Sequence, residues 1–259
     1  MKELYRSWLI SFYTIFSKEL KRFLRIWLQT LFPPAITMAL YFVIFGGVIG
    51  SRVGSMEGHD YVSYIAPGII MMSIITNSFN NVVSSFFGAK FQRHIEEMLV
   101  SPTPNGVILA GYVCGGICRG ALVGMIVTAV ASCFTNIDIQ HIGIAITVVL
   151  LTAALFAICG FINAIFAKKF DDISVIPTFV LAPLTYLGGI FYSVNLLPPF
   201  WKDLSHINPI LYMVNALRYS FIGVSDVNIY FSIGMMVISI IVLFFICLIC
   251  MHKSVGLRS

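Results

Sequence analysis

Long apolar segments alternate with short polar ones along this chain. Between Arg25 and Arg52 no Asp, Glu, Lys or Arg occurs, and about 20 apolar residues are enough for a helix to cross a bilayer. Similar charge-poor segments follow. An even number of spans would place both termini on the same side of the membrane. The pattern predicts an all-α membrane protein whose six spans lie near 26–48, 62–88, 106–134, 142–167, 173–193 and 228–251.

The first 25 residues have a different pattern, in which polar side chains follow one helical stripe. Phe12, Phe16 and Phe23 line much of the rest of the helix. A helix with a basic face and an apolar face is typical of the membrane interface, where lipid phosphates attract the basic groups. We therefore expect an interfacial amphipathic helix over 1–25. Its polar stripe comprises Ser7, Ser11, Thr14, Lys18, Lys21, Arg22 and Arg25.

The longest polar interruption between two apolar segments begins at Phe91. Phe91, Ile95, Met98 and Leu99 fall at i, i+4, i+7 and i+8, on one face of a helix. Two prolines then stop the helix, because proline lacks the N–H and clashes with the preceding turn. The pattern predicts a short amphipathic helix over 91–101. Two interpretations stay open on these residues alone: a loop that only connects spans two and three, or an element on which a soluble partner docks.

The segment after the fifth span is long for a loop and still apolar. Asn208-Pro209 predicts a helix start, with Asn as the N-cap and Pro at the first helical position. A shorter helix is expected before it, over 196–205. Neither is long enough to cross about 30 Å of hydrocarbon. The pair, over 196–223, predicts a re-entrant helical hairpin in the outer leaflet; an interfacial cap is the alternative.

Composition and charge agree with a bilayer environment and set the orientation. Apolar residues make up 59% of the chain and charged residues only 10%, whereas soluble domains carry about 25% charged residues. Twelve basic residues lie on the side of the termini and three on the other side, so we expect both termini to be cytoplasmic. The net charge of +5 is spread over these loops and does not indicate nucleic-acid binding.

No catalytic constellation is visible in the sequence. The chain contains no Gly-Lys dipeptide, so it lacks the phosphate-binding loop of an ATPase. The six cysteines lie in apolar runs, where small packing residues are expected rather than metal ligands. We expect no metal and no cofactor in this chain.

Span three carries small residues at a spacing that favours close helix packing. Glycines four residues apart let two helix backbones approach each other in a membrane. Two such series predict packing faces, one formed by Gly111 and Gly115 and the other by Gly116, Gly120 and Gly124.

Arg119 lies near the middle of the same span, where a charge is costly. No acidic residue occurs at a comparable depth, so Asn77, Asn80 or Asn81 on span two is its expected neighbour. Arg119 is either a structural polar tie, including a snorkelling side chain, or a contact for an anionic group on cargo.

The segment from Ser84 to Pro104 carries Phe91, Arg93, Glu96, Glu97, Leu99, Ser101 and Pro102. In these residues it resembles the coupling helix of ABC exporter permeases of the type-2 class, which lies in a cleft of an ATPase subunit. The resemblance covers nearly the whole chain and is also strong over 168–192 and 196–223.

The resemblance implies one ABC type-2 transmembrane domain over 1–259, with type V ABC exporter architecture. It implies a homodimer in the bacterial inner membrane, in contact with lipids, that binds two copies of a separate ATPase subunit holding ATP and Mg²⁺. It also implies a translocation path lined mainly by spans two and five. The candidate path or gate residues are Asn77, Asn80, Asn81, Arg119, Tyr186, Phe191, Ile210, Leu217 and Phe221.

The expected function is ATP-driven export. Aromatic-rich, nearly uncharged spans favour an amphiphilic or lipid-like substrate, and a lipid-linked glycan is included because polysaccharide exporters share this architecture. The alternative is an energy-independent membrane protein, namely an ion-coupled carrier, a channel or a scaffold. No Asp or Glu falls inside a predicted span, which argues against ion coupling because carriers use such residues as relays.

Overall fold

The computed structural model describes the backbone of residues 2–253 and the side chains of residues 5–253. Helices account for most of this part of the chain. A β-hairpin whose two strands, β1 (Ser55–Met56) and β2 (His59–Asp60), have two residues each separates the second and third helices. In chain order the helices are α1 (Lys2–Arg25), α2 (Trp27–Val53), α3 (Tyr61–Phe91), α4 (His94–Val100), α5 (Asn105–Ala131), α6 (Ile142–Phe166), α7 (Asp172–Leu187), α8 (Pro199–Ile207), α9 (Pro209–Ile222) and α10 (Ile229–His252).

Five of these helices, α2, α3, α5, α6 and α10, are long and apolar enough to cross a membrane. They correspond to predicted spans one to four and six, with ends that agree to within a few residues. The remaining prediction, 173–193, is longer than the helix found there, because α7 ends at Leu187 and has fewer than 18 residues. Gly188 and Gly189 follow it, and Gly189 adopts a left-handed backbone that ends the helix.

α3 is the central helix of the bundle and is packed by α5, α6 and α9. Most of its side chains are buried. Gly160 of α6 lies against the backbone of Phe79, where an added Cβ would come within 2.5 Å of the carbonyl oxygen. The ring centroids of Phe86 and Phe161 lie 4.0 Å apart. Close backbone approach and aromatic packing therefore hold α3 and α6 together.

The two glycine series of α5 form two packing faces, as predicted. A Cβ added at Gly115 would lie 2.6 Å from the Cβ of Glu19 on α1. A Cβ added at Gly116 would instead meet Val82 of α3 and Ala157 of α6. α5 thus contacts α1 on one side and the central helices on the other.

α1 is helical over the predicted residues but runs along α5, in the same direction. The Thr103 hydroxyl, just before α5, donates to the Ser11 hydroxyl at 3.1 Å. Further along both helices, Glu19 of α1 packs on Gly115 of α5. This packing carries the last turns of α1 into the bundle, which differs from a helix lying flat at the interface. The physical reason is that Ile15 and the aliphatic carbons of Glu19 fit against Gly111 and Gly115 of α5, while Lys18 and Lys21 stay exposed.

Of the two helices that follow α7, only α9 begins where the sequence predicts, and α9 is also more buried than expected. The Asn208 side chain accepts a hydrogen bond from the Ile210 N–H, which confirms the predicted N-cap of α9. The shorter helix starts at Pro199, because Pro198 and Pro199 exclude an earlier start. Ten of the fourteen residues of α9 are buried. α9 is therefore part of the core at its end of the bundle and not a peripheral cap.

Candidate functional site

The short helix α4 begins later than the predicted range 91–101. Arg93 adopts a left-handed backbone with φ of 61°, which breaks the helix between α3 and α4. Phe91 therefore belongs to the last turn of α3 and is 60% exposed, whereas Ile95 is 1% exposed. The predicted common face assumed one continuous helix, and the break at Arg93 rotates Phe91 away from it.

One face of α4 is anchored in the bundle and the other is open. Met98 and Leu99 are half-buried beside Ile95. Glu96 and Glu97 are exposed, and Val100 is 88% exposed. Ser101 ends the helix with its hydroxyl donating to the Met98 carbonyl at 2.6 Å, and exposed Pro102 follows. With exposed Arg93 at its start, α4 presents charged and apolar groups on a supported surface.

α1 extends this surface on one side. A cleft of about 300 Å³ separates α1 from α4 and is lined by Ile10 and Thr14 of α1 and by Glu97 and Met98 of α4. Because both helices border the same cleft, a partner that covers α4 would also meet α1.

The base of α4 is connected to α7 by aromatic packing. Phe170, in the loop before α7, lies 4.8 Å from Phe91 and 5.1 Å from Phe87, measured between ring centroids. The Lys90 ammonium donates to the carbonyls of Ile165 and Ala167 at the end of α6, at 2.6 and 2.7 Å. The end of α3, the end of α6 and the start of α7 therefore form one connected unit.

A buried ion pair lies between α1 and α3, and the sequence patterns did not reveal it. Glu19 is fully buried and pairs with Arg22 at 3.2 Å. The Ser85 hydroxyl donates to the Glu19 carboxylate. Arg22 also donates to the Asn81 backbone carbonyl at 2.9 Å and side-chain oxygen at 2.8 Å. The available signal was the position of Glu19, three residues after Phe16 on the apolar side of α1.

Arg119 contacts Asn77, one of the three neighbours expected for it. Its guanidinium donates to the Asn77 side-chain oxygen at 3.2 Å and to the Thr30 carbonyl at 3.4 Å. Its Nε is buried and has no hydrogen-bond partner. Of the other two candidates, Asn81 pairs with Arg22 and Asn80 is half-buried. The Arg119 side chain is thus held by two long hydrogen bonds and retains unused donor capacity.

Arg218 is a second arginine inside the structure and is fully buried. It donates to the Gly189 carbonyl at 2.6 Å, the Tyr64 carbonyl at 3.2 Å and the Asn215 side-chain oxygen at 3.4 Å. The guanidinium also lies 4.0 Å from the centre of the Tyr64 ring. It joins α3, α9 and the turn after α7. The sequence pattern placed Arg218 among the basic residues of the outer side and did not predict that it joins these elements.

The open face of α3 is polar. Thr76 and Ser84 are exposed and Asn80 is half-buried, and the three follow one another at four-residue spacing. We call them the α3 polar stripe. The Thr76 and Ser84 hydroxyls donate to carbonyls of their own helix, at 2.9 and 2.7 Å. The Asn80 side-chain amide makes no hydrogen bond within the described residues, and leaving an unpaired amide in hydrocarbon is unfavourable. In a membrane this face is suited to water or to another protein surface.

Tyr186 and Phe191, two of the candidate gate residues, lie in one aromatic cluster. Their ring centroids are 6.4 Å apart. Phe191 also stacks on Phe45 at 4.4 Å and on Tyr41 at 5.8 Å, both from α2. Tyr186 is 50% exposed, so the cluster borders an open surface.

The other three gate candidates are placed differently. Ile210, Leu217 and Phe221 are 0%, 1% and 5% exposed and pack within the subunit, where α9 contacts α3 and α6. A gate on the axis of a homodimer would require these side chains to face the second subunit. Their burial argues against that arrangement, because the amphipathic face of α9 is already covered by its own chain.

Comparison with known proteins identifies the family. A family profile described as ABC-2 type transporter matches residues 10–222. The chain belongs to the ABC-2 type transporter family. It is 56% identical to the inner membrane transport permease YadH of Escherichia coli (strain K12), over 95% of this chain and 96% of that protein. It is 25% identical to nodulation protein J of Rhizobium leguminosarum bv. viciae, over 80% of each chain.

Family membership and the apolar helices together define the kind of protein. This ABC-2 chain is a multi-pass membrane permease, the transmembrane subunit of an ABC transporter. The family implies an ABC ATPase as partner.

Proposed function

We propose that this ABC-2 permease exports its substrate by ATP-driven motion transmitted through α4. The observation that carries the proposal is that α4 is anchored by Ile95 while Glu96, Glu97 and Val100 are uncovered. An ATPase subunit that binds this helix, with ATP and Mg²⁺ bound in its own site, would move an element that is packed against the helix bundle. The movement would therefore be transmitted to the bundle.

The connection from α4 into the bundle supports this direction of force. α4 follows α3 after a two-residue break, and Phe91 at the end of α3 packs on Phe170 before α7. Movement of α4 would therefore displace the cytoplasmic ends of α3 and α7 together. The exposed position of α7, with Phe179 at 73% exposure, leaves it free to move against a neighbour.

Two copies of the chain and two ATPase subunits complete the proposed transporter. The α3 polar stripe needs a polar environment, and apposing it to the same stripe of a second copy would create one. Such a C2 contact is the commonest arrangement of homo-oligomers. The path would then run between the copies, beside Thr76, Asn80 and Ser84, with α7 as the second wall.

The aromatic cluster is the structure's better candidate for the outer gate. Tyr186 and Phe191 border an open surface near α2, whereas the α9 residues are buried within the subunit. A gate of rings beside a weakly charged path suits an amphiphilic or lipid-like substrate, including drugs, lipids and lipid-linked glycans. Arg119, with its unused donor, would contact an anionic group of such a substrate.

The proposed orientation has both termini and α4 in the cytoplasm of a bacterium, with the permease in the inner membrane. The twelve-to-three distribution of basic residues supports it. The name of the E. coli relative, an inner membrane transport permease, supports the same membrane. The ATPase and α4 must lie on the side where ATP is available, which agrees with this orientation.

Charge reversal on α4 tests the proposal. Replacing Glu96 and Glu97 together by lysine should lower ATPase recovery with the tagged permease by about tenfold, since charges at a docking site set complementarity. Asp203→Lys, an exposed reversal on α8, is the matched control and should leave recovery unchanged. Normal recovery and normal transport in the α4 variant would move the docking site elsewhere.

A further inference from the structure

A deep apolar groove opens between α5 and α6, near the ends of these helices that face away from α4. Its cavity volume is about 370 Å³. The floor is formed by buried side chains of three helices, with Ile70 and Ile74 from α3, Ala145 from α6 and Leu217 from α9. None of the candidate path or docking surfaces includes the mouth of this groove.

The walls of the groove exclude water as an occupant. Thr128 carries the only hydroxyl of the lining among the described residues, and this hydroxyl donates to the Gly124 carbonyl of its own helix at 2.8 Å. A water molecule in a cavity needs two to four polar partners, and these walls offer none. The occupant must therefore be apolar.

The mouth of the groove is lined by side chains that need an apolar cover. Met125 and Ile142 are each 65% exposed, Ile146 is 55% exposed and Leu150 is 44% exposed. They belong to α5 and α6, two helices long and apolar enough to cross the membrane. In the bilayer, hydrocarbon chains of lipid cover such side chains.

A second copy of the chain is a less suitable cover. The surface of α3 that calls for a polar environment is the stripe Thr76, Asn80 and Ser84. At 3.6 residues per turn this stripe lies roughly 100° around α3 from the floor residues Ile70 and Ile74. A copy packed over the stripe leaves the groove open to the bilayer.

The length of the groove fits one acyl chain in one leaflet. Along α6 it extends from Ile142 to Leu150, which corresponds to about 12 Å of helix. One leaflet contributes about half of the 30 Å hydrocarbon core. The groove is therefore a slot for a single chain and does not cross the membrane.

We propose that this groove binds one acyl chain of a membrane phospholipid. The acyl chain packs against Leu217 of α9 and against Ile70 and Ile74 of α3, the central helix. The acyl chain fills the groove beside α9 and adds apolar contacts to this helix, so it stabilises α9 in its position. The proposed orientation of the permease places this groove in the outer leaflet. The binding of an acyl chain in the groove does not depend on that orientation.

Photolabelling of the purified full-length permease tests the proposal. The protein is reconstituted with a phosphatidylethanolamine that carries a diazirine on its acyl chain, then exchanged into lipid-free detergent before irradiation, and labelled peptides are identified by mass spectrometry. We expect label retained on 121–128 and 142–150. Lipid-facing sites without a groove, such as Ile238 and Ile241 of α10, should lose it. Equal loss at both sites would overturn the proposal.

Variants that cover the mouth give a second, independent measurement. Ile146→Trp places bulk over the groove at an exposed position, so folding should be preserved. A larger ring that displaces two methylenes predicts about tenfold less retained label. Ile238→Trp, at a comparably exposed position of α10, is the matched control and should leave groove labelling unchanged. Labelling in Ile146→Trp equal to the wild type would overturn the proposal. So would efficient crosslinking between copies through Met125→Cys, which would assign the groove to a second subunit.

Discussion

Arg218 and Arg119, the two arginines inside the helix bundle, differ in how completely their donors are used. Arg218 is fully buried, makes three hydrogen bonds and lies over the Tyr64 ring. Arg119 is half-buried, makes two hydrogen bonds longer than 3.1 Å and leaves its Nε without a partner. Both guanidiniums lack a salt bridge among the described residues.

The difference separates a structural arginine from one with spare capacity. A guanidinium whose donors all meet fixed backbone or side-chain oxygens holds its neighbours in place. The Nε of Arg119 lacks a partner but is buried, so an anionic group would reach it only after the neighbouring side chains move. The comparison indicates a structural role for Arg218 and supports the proposal that Arg119 contacts substrate, and the variants below test both roles.

Arg218→Ala should have the largest effect on stability. It leaves the carbonyls of Tyr64 and Gly189 buried without donors, which predicts a loss of about 3 kcal/mol or more. Arg218→Lys should recover little, because an ammonium cannot reproduce the planar fork. Thermal unfolding of the purified permease in detergent measures both. Wild-type melting of Arg218→Ala would remove the structural assignment.

Glu19→Gln should come next. It removes the negative charge that pairs with Arg22 and replaces one accepting oxygen by an NH₂ group, which predicts a loss of about 2 kcal/mol. The exposed neighbour Lys18 supplies the control, since Lys18→Gln should change stability by less than about 0.5 kcal/mol. Equal melting temperatures for the two variants would show that the ion pair does not hold α1 to α3.

Arg119→Gln should destabilise less than Arg218→Ala, by about 1 kcal/mol, because its two hydrogen bonds are long. If Arg119 contacts substrate, substrate-stimulated ATP hydrolysis by the assembled complex should fall while basal hydrolysis stays. Asn77→Ala loses the same hydrogen bond but not the charge, and should keep stimulation. A large loss of stability with normal stimulation in Arg119→Gln would make the two arginines alike.

Asn208→Ala should have the smallest effect of the four. The N-cap of α9 and the hydrogen bond from Asn208 to the Leu184 carbonyl are lost, which predicts about 1 kcal/mol. Asn208→Asp keeps the capping oxygen and should recover part of it. If Asn208→Ala melts like the wild type, α9 is held by its packing alone.

The sequence predicted those features that depend on local pattern. Charge-poor runs located the five helices that are long and apolar enough to cross a membrane, because length and composition are independent of what packs against a helix. Asn208-Pro209 located the start of α9, because capping involves only adjacent residues. Four-residue spacing separated the two glycine faces of α5, and depth in the membrane led from Arg119 to Asn77.

Features that depend on tertiary contacts were missed or misplaced. The break at Arg93 requires a left-handed backbone at a residue that is not glycine, and no local pattern indicates it. Arg218 was counted as a basic residue outside the spans, and no role was predicted for Glu19, because only neighbouring helices bury these two side chains. The amphipathic face of α9 was assigned to a second subunit, but its own chain already covers it. Periodicity shows that a face is apolar without showing which partner buries it.

Site-specific photocrosslinking in the native cell tests the central claim most directly, namely that α4 receives the ATPase. A photoreactive phenylalanine analogue at Val100, which is 88% exposed on α4, should crosslink to a protein that is also labelled by a photoreactive ATP analogue. The same analogue at Ile207, which is 79% exposed on α8, should not. An assembled complex in which Val100 gives no such crosslink, or in which Ile207 gives it equally, would contradict the account.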